Sequence, residues 1–198
     1  MDYIFKTEKI ALRKLENTQF DLELIYKWRS KPEIKRDFGD LSDGVTTQNV
    51  LRKNSERLDT SKSLWETQKR LAVPCIIEFQ DKPIGYLQFY DVDFEEYKIP
   101  REKFQDFINE SDRTMATDLY IGEVNLQGQG LGTKIMKQLI QTLFEKYSAD
   151  VILIDPKIHN KRAIKCYHNA GFKDLFVEPK REKGHNNLIM GIRKNEGE

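Results

Sequence analysis

Between Asp118 and Thr133 the sequence runs Asp-Leu-Tyr-Ile-Gly-Glu-Val-Asn-Leu-Gln-Gly-Gln-Gly-Leu-Gly-Thr. A lone carboxylate heads this stretch. Near its end Gly128, Gly130 and Gly132 alternate with Gln129 and Leu131. Beyond Thr133 the apolar residues take helical spacing, with Ile135, Leu139 and Leu143 on one stripe and Met136, Ile140 and Phe144 beside it. The stretch therefore reads as a strand carrying Tyr120 and Ile121, then a glycine turn, then a helix. Glycines let a backbone approach a ligand closely, and the N–H groups of a first helical turn lack intrahelical partners. Those donors and the helix dipole together favour an anion, a phosphate above all. Two phosphate motifs are excluded by spacing. No Lys-Ser/Thr follows a four-residue gap, so this is not a P-loop, and glycines spaced by two throughout do not make Gly-x-Gly-x-x-Gly.

The elements needed to hold this turn are present on both sides. At 198 residues the chain is expected to fold as one domain, 1–198, with a substantial core. Charged residues are 33% and hydrophobic ones 38%, the balance of a soluble globular protein. The net charge of +1 gives no general attraction to nucleic acid or membrane. No signal peptide precedes the first strand-like residues and no apolar run spans a membrane, so a cytoplasmic protein is expected. Cys75 and Cys166 are the only cysteines, which suits a reducing compartment. The three histidines form no ligand set with them, and no metal is expected.

Taken in order, Tyr3 to Leu15 reads as an opening strand. Thr18 to Lys31 reads as a helix, with Phe20, Leu24 and Trp28 spaced by four, and it is ended or offset by Pro32. Arg36 to Thr46 reads as a loop, and Thr47 to Arg57 as a short amphipathic helix. Thr60 to Lys69 is polar and without a clear pattern. Leu71 to Phe79 and Ile84 to Tyr90 form a hairpin across Gln80-Asp81-Lys82-Pro83. A long polar insertion, Asp91 to Asp112, precedes the Asp118 strand. Val151 to Ile154 is the all-apolar type of strand buried on both faces. Asn160 caps a helix from Lys161 to Asn169 that stops at Gly171. Phe172 to Val177 and Asn187 to Ile192 close the chain as a strand pair. The result is an α/β fold with a mixed sheet.

What remains of the glycine turn is Gln127-x-x-Gly130-x-Gly132, which resembles the acetyl-coenzyme A signature of the GNAT superfamily of N-acetyltransferases. Downstream, Asn160-x-Arg162-Ala163-Ile164-x-x-Tyr167-x-x-x-Gly171-Phe172 is similar to a familiar ending of that superfamily. The resemblance implies the GNAT fold, a mixed and mostly antiparallel central sheet flanked by helices, in which two strands splay apart around acetyl-CoA. Asp118 before Gly122-Glu123, Ile154-Asp155-Pro156, Lys27-Trp28 and Lys82-Pro83-Ile84-Gly85-Tyr86-x-Gln88-x-Tyr90 extend the likeness. Together they resemble aminoglycoside 6'-N-acetyltransferases. One departure is Leu119, where that family usually has Gln.

The resemblance implies an amine attacking an acetyl thioester, by direct transfer in a ternary complex. Asp118 would bind the ammonium and accept its proton, and Tyr167 would protonate the departing thiolate. Backbone N–H groups at a bulge in the Asp118 strand would polarise the acetyl carbonyl. Acetyl-CoA, as co-substrate, would lie on Ile121, Gly122, Gln127, Gly128, Gln129, Gly130, Leu131, Gly132 and Thr133, with Asn160 and Ala163. Trp28, Gln88, Tyr90, Asp93, Glu95, Asp118 and Asp155 would meet the substrate. Cys166 reads as packing.

The Asp91–Asp112 stretch carries eight carboxylates against three basic residues. Such segregation would draw a polycation to one rim, with Phe94, Tyr97 and Phe104 covering sugar faces. The competing reading is a solvated loop. Asp155, at the carboxyl end of a buried strand, is the better single candidate for a substrate amine. The expected partner is an aminoglycoside or another small polyamine, and not nucleic acid or membrane, with the protein a monomer or homodimer. The alternatives are a GNAT enzyme acting on a protein N-terminus, polyamine or siderophore precursor, and a non-catalytic coenzyme A-binding module.

Overall fold

A computed structural model describes residues 2–16, 18–38, 72–94, 99–179 and 186–194. The elements are β1 (Tyr3–Lys6), β2 (Ile10–Lys14), α1 (Gln19–Arg29), α2 (Pro32–Phe38), β3 (Val73–Phe79), β4 (Lys82–Asp91), β5 (Thr114–Ile121), α3 (Leu131–Lys146), β6 (Val151–Ile154), α4 (Lys161–Ala170), β7 (Lys173–Glu178) and β8 (Asn187–Arg193). Short 3-10 turns occupy Arg101–Phe104 and Val124–Leu126. The eight strands form a mixed, mostly antiparallel sheet. The helix expected over Thr47–Arg57, the Thr60–Lys69 stretch and Glu95 lie outside the described residues. The chain divides into two compact units, Met1–Phe89 with Leu119–Gln129, and Tyr90–Asp118 with Gly130–Glu198.

In the first unit β1, β2, β3 and β4 pair in order, all antiparallel. The single opening strand expected over Tyr3–Leu15 is instead a hairpin. Thr7 N–H donates to the Ile10 carbonyl at 2.8 Å, and Ile10 N–H returns a bond to Thr7 Oγ1 at 3.0 Å. The β3–β4 turn is tighter than expected. Gln80 and Asp81 alone make it, at φ 51° and 57°, so Lys82 and Pro83 already belong to β4. Pro32 opens α2, where its missing N–H costs nothing, so Arg36–Phe38 are helical and not loop.

Leu22, Ile25 and Trp28 are the buried stripe of α1, and Phe20 points to solvent. Ile25 and Trp28 pack with Leu15, Ile34, Ile76, Tyr86 and Tyr120. The start of α1 is pinned by a buried ion triad. Arg13 on β2 gives two bonds of 2.6 Å to Asp21, and its Nε bonds Glu78 Oε1 at 2.8 Å. Asp21 also accepts the Glu16 N–H, and its own N–H donates to the cap oxygen of Thr18.

In the second unit the order is β5, β6, β8, β7, with β5 and β6 parallel and the other pairs antiparallel. Ala116, Val151, Leu153 and Ile189 form the floor of its core, and Ile99, Phe104 and Ile108 cover them. The Asp91–Asp112 stretch is therefore more than a polar insertion. Ile99, Phe104 and Ile108 are core, Phe104, expected to cover a sugar, is 1% exposed, and Tyr97 lies outside the described residues. Its two end carboxylates are also taken. Asp91 bonds Arg113 at 2.8 Å and Asp112 bonds Arg193 at 2.6 Å. Arg113 reaches on to the Tyr147 carbonyl, and Asp150 accepts its N–H.

Replacing Arg13 by leucine leaves Asp21 and Glu78 buried without their counter-charge. Urea unfolding of Arg13→Leu is expected to show a loss of about 3–5 kcal/mol. A loss under about 1 kcal/mol would mean that water replaces the guanidinium.

Candidate active site

The β5–β6 ladder sets the geometry of the site. Thr114 pairs Val151, Met115 pairs Ile152 and Ala116 pairs Leu153, where the described pairing stops. Asp118 and Asp155 each lie two residues beyond that last pair, and the charge of Asp118 is felt at Asp155. Alternation along each strand assigns both carboxylates to the face that buries Ala116 and Leu153. They are the next residues on that face and make an Asp118–Asp155 rung for which no backbone pairing is described. On the other side of β6, Ile154 pairs Met190 of β8. That register runs on past the strand end, because Lys157 still pairs Asn187. Asn187 is then the diagonal neighbour of Asp155 on the same face, and its Nδ2 donates to Asp155 Oδ2 at 2.9 Å.

The electrostatics follow from this placement. Burial, and then the nearby charge of Asp118, push the Asp155 carboxyl up to about 7, against the opposing hydrogen bond from Asn187. Tyr167, on α4, is 6% exposed. Burial raises its phenol well above the ordinary value, and Cys166, Asp118 and Asp155 add to the effect. Tyr167 therefore keeps its proton throughout the neutral range. Two carboxyls and a neutral phenol are thus in electrostatic contact.

The glycine turn has the backbone its residues implied. Gly128 and Gly130 both have φ of 76°, which favours glycine, and a Cβ on either would meet nothing within 4 Å. Gly130 is the N-cap of α3 and supplies no side-chain cap, so the N-terminus of this 16-residue helix carries no side-chain acceptor from its own cap. Thr133 Oγ1 bonds the Cys166 carbonyl at 3.3 Å, which ties α3 to α4. Asn160 caps α4, its Oδ1 accepting from Ala163 N–H at 3.1 Å.

In the first unit the end of β5 is held by side chains. Gly122 and Glu123 both donate their N–H to the Ile84 carbonyl, at 2.8 and 3.0 Å, which makes a bulge. Lys31 Nζ caps the Gly122 carbonyl at 2.7 Å, and Gln127 Nε2 caps that of Ile121 at 2.6 Å. Glu123 accepts from Lys27 at 2.7 Å and from Trp28 Nε1 at 2.9 Å. Burial opposes ionisation of Glu123, but these bonds and the charges of Lys31 and Lys27 hold it down at about 2. A Cβ on Gly122 would lie 2.1 Å from Trp28 Cγ, so only glycine lets the indole lie there.

The structure places the expected site residues as follows. Trp28 is 0% exposed and lies against Gly122 at the β5 bulge. The Gly122 and Glu123 N–H groups both donate to the Ile84 carbonyl. Asp118 lies inside β5 and not ahead of it. Gln88 is buried, with Oε1 accepting the Tyr86 hydroxyl at 2.8 Å. Tyr90 packs against the core of the second unit, and Asp93 is exposed. Leu131 is buried, and Gln129 Nε2 bonds the Asn125 carbonyl at 2.7 Å. Asn187 and Glu123 were not singled out from the sequence. Asn187 meets Asp155 through the pairing of Ile154 with Met190, a register that the sequence alone does not signal. Among the described residues no cluster of three or more His, Cys, Asp or Glu side chains could hold a metal ion, and no helix is long and apolar enough to cross a membrane.

β5 and β6, a parallel pair whose chains run on to Asp118 and Asp155, are joined through a glycine-led helix in a mixed α/β fold. The acetyltransferase (GNAT) domain family model matches residues 17–176, and the chain belongs to that family. Aminoglycoside N(6')-acetyltransferase type 1 of Klebsiella pneumoniae is 28% identical over 172 residues, covering 84% of this chain and 75% of that one. A kanamycin resistance protein of Rhizobium radiobacter is 39% identical over 56 residues, 28% of this chain and 52% of that one. Among solved structures, aminoglycoside acetyltransferase AAC(6')-Ib in complex with coenzyme A superposes with a TM-score of 0.69 at 23% identity, covering 93% of this chain and 95% of that one. RimL, a ribosomal L7/L12 alpha-N-protein acetyltransferase in complex with coenzyme A, gives a TM-score of 0.70 at 14% identity over 97% and 98%.

The raised Asp155 carboxyl has a consequence for stability. The folded state holds a proton there that the unfolded chain releases near pH 4, so this group's contribution falls as pH rises from about 4 to about 7. Asp155→Asn is expected to be neutral at pH 4 and stabilising by about 1–3 kcal/mol at pH 8, read by urea unfolding at both pH values. Equal effects at the two pH values would place Asp155 in open solvent.

Proposed function

We propose that this protein transfers the acetyl group of acetyl-CoA to the 6'-amine of aminoglycosides, and so confers resistance to them. The Asp118–Asp155 rung carries this reading, because two half-buried carboxyls on one face suit an ammonium group. The names of the 28%-identical relative and of the kanamycin resistance protein agree with that chemistry. The setting is the cytoplasm.

Acetyl-CoA supplies the activated acetyl thioester. The first turn of α3 and the open backbone at Gly128 and Gly130 fit its pyrophosphate, since an anion at a helix N-terminus is favoured by both donors and dipole. Asp155 and Asp118 hold the substrate ammonium, and Asp118 accepts its proton. The amine nitrogen then bonds the acetyl carbon as the carbon–sulfur bond breaks, and the nitrogen releases its second proton to solvent to give the neutral amide. Tyr167 gives its proton to the leaving thiolate and regains one from solvent. No residue forms a covalent intermediate. Holding both reactants on one face accounts for much of the rate, because the reaction becomes effectively unimolecular.

The test is coenzyme A thiol release by the purified protein with kanamycin, spermidine and N-terminal peptides as acceptors. Kanamycin is expected to be used best. Efficient turnover of a peptide or polyamine with none of kanamycin would overturn the reading. Asp118→Asn and Tyr167→Phe should each lower kcat for kanamycin by about 10²-fold or more. If Asp118→Asn leaves both the rate and its pH dependence unchanged, Asp118 is not the base.

A further inference from the structure

Asn187 is the first residue of β8, 32 residues beyond the carboxylate it touches. Its position is over-determined by backbone. Leu188 N–H donates to the Pro156 carbonyl at 2.8 Å, and Ile158 N–H donates to the Asn186 carbonyl at 2.9 Å. These two bonds flank the Lys157–Asn187 bridge and continue the β6–β8 register across the turn after Ile154. The amide is therefore delivered to Asp155 by the sheet and not by a loose side chain. It binds one carboxylate oxygen, Oδ2.

We propose that Asn187 is a positioning residue for the acetyl transfer, holding the Asp155 carboxylate on the Asp118 rung so that it receives the substrate ammonium. The inference rests on the functional reading of Asp155 given above. Asp118 from β5 and Asn187 from β8 act on Asp155, and Asp155 in turn acts on Tyr167 of α4. Asn187 is the one other side chain that favours the charged form of Asp155, and a backbone hydrogen bond at Asp155 itself adds a smaller contribution in the same direction. Burial and Asp118 both favour the protonated form, and a protonated Asp155 is a poor partner for an ammonium. Asn187 thus sets how much of the enzyme is competent near neutral pH. A loss of Asn187 should cost most in acid and least in base. An amide that only stiffened the turn would lower activity evenly at all pH values.

Two readouts test this. In protein labelled with 13C-aspartate, the Asp155 carboxyl is titrated by NMR in wild type and in Asn187→Ala. The variant's midpoint is expected to lie about one unit higher. In kinetic assays kcat/KM for kanamycin should fall about tenfold at pH 6.5 and less than threefold at pH 8.5, with KM for acetyl-CoA unchanged. Asn187→Ser, which keeps a shorter donor, should fall between the two. Asn187→Leu carries the same test if the alanine variant does not fold. An unmoved NMR midpoint, or a loss equal at both pH values, overturns the proposal. The function reading fails separately: a wild type that ignores kanamycin, or an Asp155→Asn variant with unchanged KM for kanamycin, removes the role of Asp155. In the Asp155→Asn background Asn187→Ala should have no further pH-dependent effect, and an effect there would overturn the coupling.

Discussion

The second unit depends on where the parallel pairing of β5 and β6 ends. Three rungs are described, from Thr114–Val151 to Ala116–Leu153. Up to that point the shared face is apolar and packs into the core with Ile189. On the next rung of the same face the sequence changes from alanine and leucine to two aspartates. A half-buried carboxylate pair is costly to ionise fully, because like charges and desolvation both oppose it. The fold tolerates it because Asn187 supplies a donor and because one of the two can stay protonated at neutral pH. A site that is costly when empty of counter-charge is one in which a cationic ligand recovers free energy on binding.

The surrounding structure keeps that rung in place. Phe104, Ile99 and Ile108 fill the face beneath it, and the pairs Asp91–Arg113 and Asp112–Arg193 fasten the segment that carries them. Tyr167 is buried on α4, whose first turn is capped by Asn160 and whose end is marked by Gly171 at φ 108°. In the first unit a different set of contacts shapes the end of β5. Trp28 lies against Gly122, Glu123 gathers Lys27, Lys31 and the indole N–H, and the Arg13–Asp21–Glu78 triad anchors the helix that carries Trp28. Stability in this region therefore rests on charge pairs made by residues far apart in sequence.

Much of this was legible in the chain. The α3 and α4 helices, β6, and the glycine turn follow from local spacing, capping and apolar runs, and they lie close to their expected bounds. Asp155 was readable from its place at the end of a fully apolar strand. What was not readable depends on register between distant segments. Asn187 meets Asp155 only because β8 pairs β6 with one particular offset, which neither segment specifies alone. The acids of Asp91–Asp112 looked like a rim for a polycation, yet Asp91 and Asp112 are neutralised by Arg113 and Arg193, whose identities as partners are set by the fold. The seat of Trp28 was not readable either, because it depends on the absence of a side chain at Gly122, 94 residues away. The hairpin break in Tyr3–Leu15 was missed because Thr7 makes its turn without glycine or proline.

The most direct measurement is a crystal structure of the protein with coenzyme A and kanamycin. The account predicts the 6'-nitrogen within about 3.2 Å of an oxygen of Asp118, with Asp155 Oδ1 in contact with the same ammonium or its ring. The coenzyme A pyrophosphate should lie on the first turn of α3, with its sulfur near the Tyr167 hydroxyl. Kanamycin bound with a different amine at Asp118, or bound away from the Asp118–Asp155 rung altogether, would contradict it.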